Sequence, residues 1–243
     1  MYVSFNDIQG YTLFGGEETL GSLADVYFDD RSFQASYLVI ETGGWFSSNQ
    51  VLIRADQVGK VEPSMRALHS NITKTEIENA PPVGSRKPVC DQHQRQWLVA
   101  AGQGALLAGA SGVTLPPMIT ETEADAGQEP EPTEEERHLR SAREVVGYNV
   151  KALDDELGSI SDLVITPKSW SVAYLAVDTG NWLPGKLVVV PPVWARTISW
   201  EDRHVVLEMT REKIRNSPAL ESLESLEQSY GNALSSYYGY PMV

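Results

Sequence analysis

The sequence predicts a mainly β protein made of two small β-barrels in tandem, each followed by a short helix and joined by a long linker. Three observations support this prediction. The chain of 243 residues repeats itself internally. Each copy consists of short apolar runs separated by turn residues. A long segment, first uncharged and then acidic, separates the copies.

The internal repeat is gapless, and residues 10–81 align with residues 147–218 at an offset of 137. Eighteen of the 72 aligned positions are identical, several times the number expected by chance. Such self-similarity indicates two copies of one structural unit. The predicted regions are a first barrel at 1–80, a linker at 81–138, a second barrel at 139–217, and an amphipathic helix with an aromatic tail at 218–243.

Each copy contains five or six short strand-like runs within about 70 residues. In the first copy the earliest long run alternates, with Leu23, Val26 and Phe28 inward and a local slip in the alternation. The runs that begin at Ser36 and Ala173 are almost continuously apolar, as in strands buried on both faces. A small closed barrel lets so many short strands avoid exposed edges.

A short helix is predicted at the end of each copy. Thr73 and Glu76 have the spacing of a capping box, and Thr210 begins the equivalent second helix. Pro81 and Pro218 lie just beyond the two helices, where proline commonly follows a helix end. The two helices therefore occupy equivalent positions of the repeat.

One segment is similar to a phosphate-binding loop, since Gly180 is followed after four residues by Gly185 and Lys186. Such a loop needs a Ser or Thr after the lysine, and then a helix whose N-terminus faces the phosphate. This chain has Leu187 instead, followed by valines and two prolines typical of a strand. We therefore predict a hairpin connection and no nucleotide site.

Two tryptophans occupy equivalent positions in the copies. Trp45 and Trp182 follow a Thr-Gly turn and precede an apolar strand. They are predicted to cap an open end of each barrel. Pro184 favours this role for Trp182 in particular, because it stiffens the loop. The alternative is that they are exposed contacts for a partner, since tryptophan is enriched among binding hot spots. Phe46 extends this candidate interaction surface in the first copy.

The motif ELGSISDLVI at 156–165, with YLAVDTGNW at 174–182 and VVVPP at 188–192, resembles the PRC-barrel family. That family includes the cytoplasmic domain of the photosynthetic reaction centre H subunit and the C-terminal domain of a ribosome maturation factor. The resemblance covers about 2–80 and 139–215 and is better in the second copy. It implies a small β-barrel used for docking, and the family has no shared catalytic residues to transfer.

The chain is similar in particular to tandem PRC-barrel proteins of bacteria, in which an aromatic YYG.P segment follows each barrel. This chain has YYGYP at 237–241, whereas the equivalent 100–103 of the first copy reads AAGQ. The resemblance therefore adds Tyr237, Tyr238 and Tyr240 to the candidate interaction residues.

Two unlike segments separate the barrels. Residues 97–120 carry no charge and are rich in Ala and Gly, which favours a flexible linker or a helix packed between the barrels over membrane insertion. Residues 121–136 hold eight carboxylates and no basic residue, which predicts an extended, solvated linker. After the second barrel, Leu220, Leu223 and Leu226 alternate with glutamates and predict an amphipathic helix.

The net charge of −14 disfavours nucleic acid and anionic membranes as partners. Cys90 is the only cysteine of the sequence, so no internal disulfide is expected, and no Cys/His spacing predicts a metal site. No basic segment precedes an apolar one at the N-terminus, so no secretory signal is predicted. We expect a cytoplasmic protein without cofactor or metal.

No arrangement of residues predicts an enzyme. Cys90 and His93 are close in sequence, but a nucleophile and its base need a rigid scaffold, and these two lie in a polar linker. Asp25 and Asp162 are shared by the copies and are predicted to satisfy backbone groups rather than to catalyse a reaction.

These observations favour a non-catalytic adaptor that presents barrel loops and edges to a protein partner, with a homodimer left open. The alternative, implied by the resemblance alone, is an accessory role in photosynthetic electron transfer like that of the reaction centre H subunit. It would need a membrane anchor, for which residues 97–120 are the candidate. A role in RNA processing or ribosome assembly ranks below both, because the sequence lacks the basic surface that phosphate contacts need.

Overall fold

The computed structural model describes residues 1–43, 50–90, 92, 133–180, 187–218, 220 and 228–239. Within these ranges the protein is mainly β, as the sequence predicts. The first copy contributes strands β1 to β7 and helices α1 and α2. Their bounds are Val3–Ser4, Thr12–Gly15, Glu18–Asp29, Ala35–Glu41, Gln50–Arg54, Val58–Glu62 and Ala67–Ser70 for the strands, and Phe5–Ile8 and Lys74–Glu78 for the helices.

The second copy contributes strands β8 to β14 and helices α3 to α6. The strands are Leu139–Ser141, Asn149–Lys151, Glu156–Thr166, Ser171–Asp178, Val188–Val190, Ala195–Ser199 and His204–Leu207. The helices are Glu134–Arg137, Ala142–Val145, Arg211–Arg215 and Gln228–Tyr238. The bounds of α1, α2, β6 and β7 recur at an offset of 137 residues in α4, α5, β13 and β14.

The two copies form two seven-stranded sheets with the same strand order. The first sheet runs β5-β4-β3-β2-β7-β6, and the second runs β12-β11-β10-β9-β14-β13. Neighbouring strands along these paths are antiparallel except β2 with β7 and β9 with β14, which are parallel. Since equivalent strands occupy equivalent places, the duplication deduced from the sequence is confirmed in the fold.

The long strands β3 and β10 contain a β-bulge at the same place. The pairing of β3 with β4 shifts register between Leu23 and Asp25, and that of β10 with β11 shifts between Ile160 and Asp162. An extra residue at a bulge advances the alternation of side chains by one step. This is the local slip predicted from the apolar pattern, and it brings both Leu23 and Val26 into the core.

Glycine is required at the equivalent positions Gly21 and Gly158, where two strands approach closely. Their φ angles are 156° and 140°, a region that favours glycine. A Cβ atom would lie 2.5 Å from the carbonyl oxygen of Glu41 at the first position, and 1.9 Å from that of Asp178 at the second. The shared Leu-Gly-Ser motif therefore lets β3 and β10 pass close to the ends of β4 and β11.

Both closing helices begin at the predicted caps. The Thr73 Oγ1 accepts the N–H of Glu76 at 3.3 Å, and the Glu76 carboxylate accepts the N–H of Thr73 at 2.7 Å. The Thr210 Oγ1 accepts the N–H of Lys213 at 3.3 Å. The capping box and the second helix start are therefore confirmed.

The hydrophobic core is shared by the two copies. One large cluster of buried side chains runs through both sheets, and the middle of β4 is buried on both faces, as its continuous apolar run predicts. Tyr11 and Tyr148, which align at the repeat offset, are both buried. The two barrels therefore pack against each other and stabilise each other by apolar burial.

The first strand of each copy leaves its own sheet and joins that of the other copy. β1 pairs antiparallel with β10, and β8 pairs antiparallel with β3. α1 and α4 follow these strands and contact β10 and β3. The repeats of the sequence and the folded barrels thus differ, because each barrel receives its first segment from the other copy.

A second contact between the sheets lies at the start of β4 and β11. Ala35 donates its N–H to the carbonyl of Trp170, and Val172 donates to the carbonyl of Phe33, both at 2.8 Å. The two bonds are related by the repeat offset of 137. A pseudo-twofold axis therefore passes through this contact.

Candidate polypeptide-docking site

The aspartate shared by the copies holds the exchanged segment on the first barrel. Asp25 lies on β3, and its Oδ2 accepts a hydrogen bond from the hydroxyl of Ser141 at 2.5 Å. Its Oδ1 accepts the backbone N–H of Arg143 at 3.0 Å and that of Val26 at 2.7 Å. Ser141 also caps α4, since its Oγ accepts the N–H of Glu144 at 3.1 Å. One carboxylate thus satisfies three donors, two of them from the other copy.

Asp162 on β10 repeats this arrangement at the second barrel. It accepts the hydroxyl of Ser4, the N–H of Asn6 at 3.1 Å and the N–H of Leu163 at 2.7 Å. Ser4 caps α1 by accepting the N–H of Asp7 at 3.1 Å. Because each bond recurs at an offset of 137, the serine–aspartate pair belongs to the architecture of the domain.

Main-chain pairing lays each segment along an open part of a strand edge. One edge of β3 is covered by β4, and the first half of the other edge by β2, so β8 pairs with the remaining residues 27–29. In the second barrel β1 pairs with residues 164–165 of β10. Adding a strand to a sheet edge is a general mode of peptide recognition, in which the main chain supplies the hydrogen bonds. Each barrel therefore has a groove, formed by this edge and its aspartate, that holds a strand and a helical turn.

Both aspartates are buried, with 9% of Asp25 and 5% of Asp162 exposed. Burial raises the pKa of Asp25 to about 6, although the donors Ser141 and Arg143 stabilise its charged form. Burial also raises the pKa of Asp162, and the negative charge of Asp7 adds to this. Both carboxyl groups hold a proton more tightly in the folded protein than in water.

The surroundings of the two grooves differ. Asp30, just after β3, accepts a hydrogen bond from Nε of Arg140 at 2.6 Å and lies 2.9 Å from Nδ1 of His138. The side chains of Asp30 and Arg140 are 11% and 13% exposed, so solvent screens this ion pair less than one on the surface. In the second groove the equivalent of Arg140 is Val3, which pairs with Ile165.

Trp170 adds a further connection between the sheets. Its indole is buried, and its N–H donates to the carbonyl of Val58 in the first barrel at 3.1 Å. The equivalent residue Phe33 stays within its own barrel, where its ring stacks on Phe28 with centroids 6.1 Å apart. The contact between the two sheets is therefore symmetric in its main-chain hydrogen bonds and asymmetric in its side chains.

Four of the six candidate interaction residues, Trp45, Phe46, Trp182 and Tyr240, lie outside the described residues. The loop 181–186, for which the sequence predicts a hairpin, is also outside them. So are most of the predicted linker and Leu223 and Leu226 of the predicted amphipathic helix, whereas Leu220 forms an isolated β-bridge with Leu187 and does not begin that helix. The expectations for the residues outside the described ranges stay predictions.

The other two candidates, Tyr237 and Tyr238, lie at the end of α6. Tyr237 is half-buried, and its hydroxyl donates to the carbonyl of Lys213 at 2.7 Å, while Tyr238 is 3% exposed. The Lys213 ammonium lies 4.5 Å from the centre of the Trp194 ring and 6.0 Å from that of Tyr238, within cation–π range. The two tyrosines thus pack on the second barrel of their own chain, and their role in binding a partner stays a prediction.

The sequence pattern indicates the shared aspartates but does not indicate their main partners. The assignment of Asp25 and Asp162 to backbone groups agrees with the N–H bonds that both accept. The pattern of the aligned segment gives no indication of the hydrogen bonds that cross between the copies. A signal existed, because Ser4 and Ser141 are also 137 residues apart, but they precede the aligned segment that begins at residue 10.

Among the described residues, no three His, Cys, Asp or Glu side chains are grouped so that they could hold a metal ion. In the same ranges, no helix has the length and apolar character needed to cross a membrane. Residues 93–132 lie outside both statements.

A family model matches both copies of the repeat. The model of the PRC-barrel domain matches residues 1–66 and 138–213, which include β1 and β8, the exchanged strands, as the first strand of each copy. A search of the curated proteins finds no match. The two matched ranges together cover more than half of the sequence, so this chain belongs to the PRC-barrel family and carries two copies of its domain in tandem.

Proposed function

We propose that this chain is a non-catalytic interaction adaptor whose two PRC-barrels hold polypeptide segments. The observation that supports the proposal is the reciprocal docking of a strand and a helical turn in each barrel. Main-chain pairing and one buried aspartate hold the segment in each case. This chemistry binds polypeptide and needs no catalytic group, and the family is generally non-catalytic.

The two docked segments share a short pattern that defines what a groove accepts. In the first segment Ser4 is followed by Phe5 and Ile8, and in the second Ser141 is followed by Ala142 and Val145. All four of these apolar side chains are buried. The grooves therefore favour a serine followed by apolar residues at the next position and three further on. The serine supplies the hydroxyl donor and the apolar residues supply the buried area.

Both grooves are filled by the chain's own segments. A partner segment with the same pattern would bind by displacing one of them, since an edge position accepts one strand at a time. The intramolecular segment has the advantage of a high effective concentration. Partner binding would therefore respond to changes that weaken the chain's own docking.

The test opens one groove in the full-length chain. Ser4→Asp places a second carboxylate against Asp162, which weakens the docking of the chain's own β1 and α1 and leaves β10 unchanged. A fluorescent peptide with the sequence of residues 1–11 is added, and its anisotropy is followed. We expect saturable binding to the Ser4→Asp protein and much weaker binding to the wild type, whose groove is filled.

A peptide that carries the same serine-to-aspartate change is the matched control. Circular dichroism of the Ser4→Asp protein verifies that the sheets remain folded. The proposal fails if the folded variant binds the two peptides equally, because the groove would then not recognise the segment that it holds.

The alternative role in photosynthetic electron transfer gains no support from the described residues. Its candidate membrane anchor, residues 97–120, lies outside them. The RNA-processing role likewise has no observation in its favour. The adaptor is therefore the one function that we put forward.

A further inference from the structure

A cleft of about 540 Å³ lies beside Asp25, where four parts of the chain meet. Its walls come from β3, from the segment after α2, from the start of α4 and from the turn before β14. The volume falls within the range of about 300–1,000 Å³ that is usual for ligand sites. The cleft therefore has room for a ligand next to the groove that holds β8.

The charged side chains of the cleft differ in the hydrogen bonds and ion pairs that they make. Asp25 accepts three hydrogen bonds, and Glu144 accepts the hydroxyl of Tyr148. In the described part of the chain, no carboxylate lies within 4 Å of the guanidinium nitrogens of Arg143 or Arg203, although the charge of Arg143 stabilises the ionised form of Asp25. Both arginines are exposed, so their guanidinium groups are accessible to an anion that enters the cleft.

Arg203 is held in a defined orientation. Its guanidinium group lies 5.5 Å from the centre of the Tyr148 ring, and its backbone adopts a φ of 49° in the turn before β14. A guanidinium stacked on a ring keeps its N–H groups available at the edge of the plane. A ligand that pairs with it therefore loses less side-chain entropy than it would at a mobile arginine.

The equivalent place at the other junction carries less positive charge. At the repeat offset, Arg143 corresponds to Asn6, while Arg203 corresponds to Arg66. Arg66 lies 5.0 Å from the ring centre of Tyr11 and thus repeats the stacking. The stacked arginine is common to both copies, and the second arginine is specific to the cleft beside Asp25.

We propose that this cleft binds an acidic segment of a partner polypeptide, whose carboxylates pair with Arg143 and Arg203. A planar guanidinium group binds a carboxylate through two parallel N–H bonds. A polypeptide fits the site because the adjoining groove already holds an extended main chain. The inference deepens the proposed function and rests on it, since it gives the chemistry of one partner.

The test uses the full-length chain and an acetylated, amidated peptide of four glutamates. Binding is followed by nitrogen-edited NMR of the arginine Nε–H groups, with a four-glutamine peptide and citrate as comparison ligands. We expect the glutamate peptide to shift the signals of Arg143 and Arg203 and the glutamine peptide to leave them unchanged. Arg143→Glu and Arg203→Glu should each lower the affinity roughly tenfold, since each replaces an attraction by a repulsion.

Arg66→Glu is the matched control, because Arg66 has the same φ of 49° and the same stacking on a tyrosine. Its affinity for the glutamate peptide should stay within about twofold of wild type. An equal loss in Arg66→Glu, or no saturable binding of the glutamate peptide, overturns the inference. Tighter binding of citrate than of the peptide would overturn its assignment to a polypeptide.

The two experiments can fail separately. The peptide of residues 1–11 is tested at the groove of Asp162 and does not involve either arginine of the cleft. Binding there without binding of the glutamate peptide removes the cleft inference and leaves the adaptor proposal in place. The opposite result removes the groove as a peptide site and with it the basis on which the cleft is assigned.

Discussion

The grooves of the first and second barrel have the same hydrogen bonds and different neighbours. Asp25 and Asp162 each accept a serine hydroxyl and a backbone N–H from the other copy. Around Asp25 lie the cation of Arg143 and the ion pair of Asp30 with Arg140, whereas the anion of Asp7 lies near Asp162. The bonds that define the backbone path are equal, while the first groove carries the cation of Arg143 where the second has the uncharged Asn6.

This difference shows which part of a duplicated domain can change. A hydrogen bond that positions the main chain is needed in both copies, because each copy places its first strand in the sheet of the other. The flanking side chains carry no such requirement, so they can give each groove its own electrostatic character. A change in one barrel can therefore be compared with the equivalent change in the other barrel of the same chain.

The largest effect is expected where both barrels depend on glycine. A Cβ at Gly158 would lie 1.9 Å from the Asp178 carbonyl oxygen, and one at Gly21 would lie 2.5 Å from that of Glu41. We expect Gly158→Ala to lower the free energy of unfolding by more than about 3 kcal/mol, and Gly21→Ala by less, because its overlap is smaller. Urea denaturation of both variants measures the order.

Gly16→Ala provides the control for backbone strain alone. Gly16 has a φ of 64°, and a Cβ atom at this position would have no neighbouring atom within 4 Å. Its replacement should therefore cost only about 1 kcal/mol of stability. If Gly158→Ala costs no more than this control, close approach of the strands is not what requires glycine in the shared motif.

A smaller effect concerns pH and the first groove. Burial raises the pKa of Asp25 from 3.8 to about 6, so between these values the folded state binds more protons than the unfolded state. The stability that this group contributes is fully present below about pH 4 and is lost as the pH rises through about 6. We expect a fall of roughly 1–3 kcal/mol over this range that is absent in Asp25→Asn.

Urea denaturation at several pH values between 4 and 7 measures this slope. Asp162→Asn is the comparison, because the pKa of Asp162 is also raised and its loss should remove a contribution of the same sign. Parallel pH profiles for wild type and Asp25→Asn would show that burial of this carboxyl does not control the stability of the junction.

The strands and the closing helices could be predicted because each rests on a local pattern. The bulge follows from the spacing of Leu23 and Val26, and the first helix start from Thr73 and Glu76. The exchange could not be predicted in this way. β1 has two residues, too few for a periodic pattern, and Ser4 bonds an aspartate 158 residues away. Repetition identifies the copy to which a segment belongs and leaves open the sheet with which it pairs.

The aromatic tail illustrates the same limit at the level of side chains. In the sequence, the YYGYP segment follows only the second barrel, and the structure shows which side chains contact it there. Lys213 and Trp194 receive α6 there, whereas the first copy has Glu76 and Gln57 at these positions. The first barrel therefore lacks the cation and the ring that contact such a segment. The lysine, the tryptophan and the tyrosines lie far apart in the sequence, so their contact becomes evident only in the fold.

The smallest effect separates the two grooves by its sign. Arg143 lowers the pKa of Asp25, and Asp7 raises that of Asp162. Arg143→Gln should therefore raise the pKa of Asp25, and Asp7→Asn should lower that of Asp162, each only slightly, because the altered charges act beside solvent. Carbon-detected NMR titration of the two carboxyl groups measures both values.

Added salt gives an independent form of the same comparison. Screening weakens the field of each neighbour and that of the net charge of −14, so raising the ionic strength should lower the pKa of Asp162 more than that of Asp25. The hydrogen bonds of the grooves are the same and respond little to salt, so they cannot produce this difference. If both pKa values move by the same amount, the flanking charges do not distinguish the grooves, and the difference between them must come from burial alone.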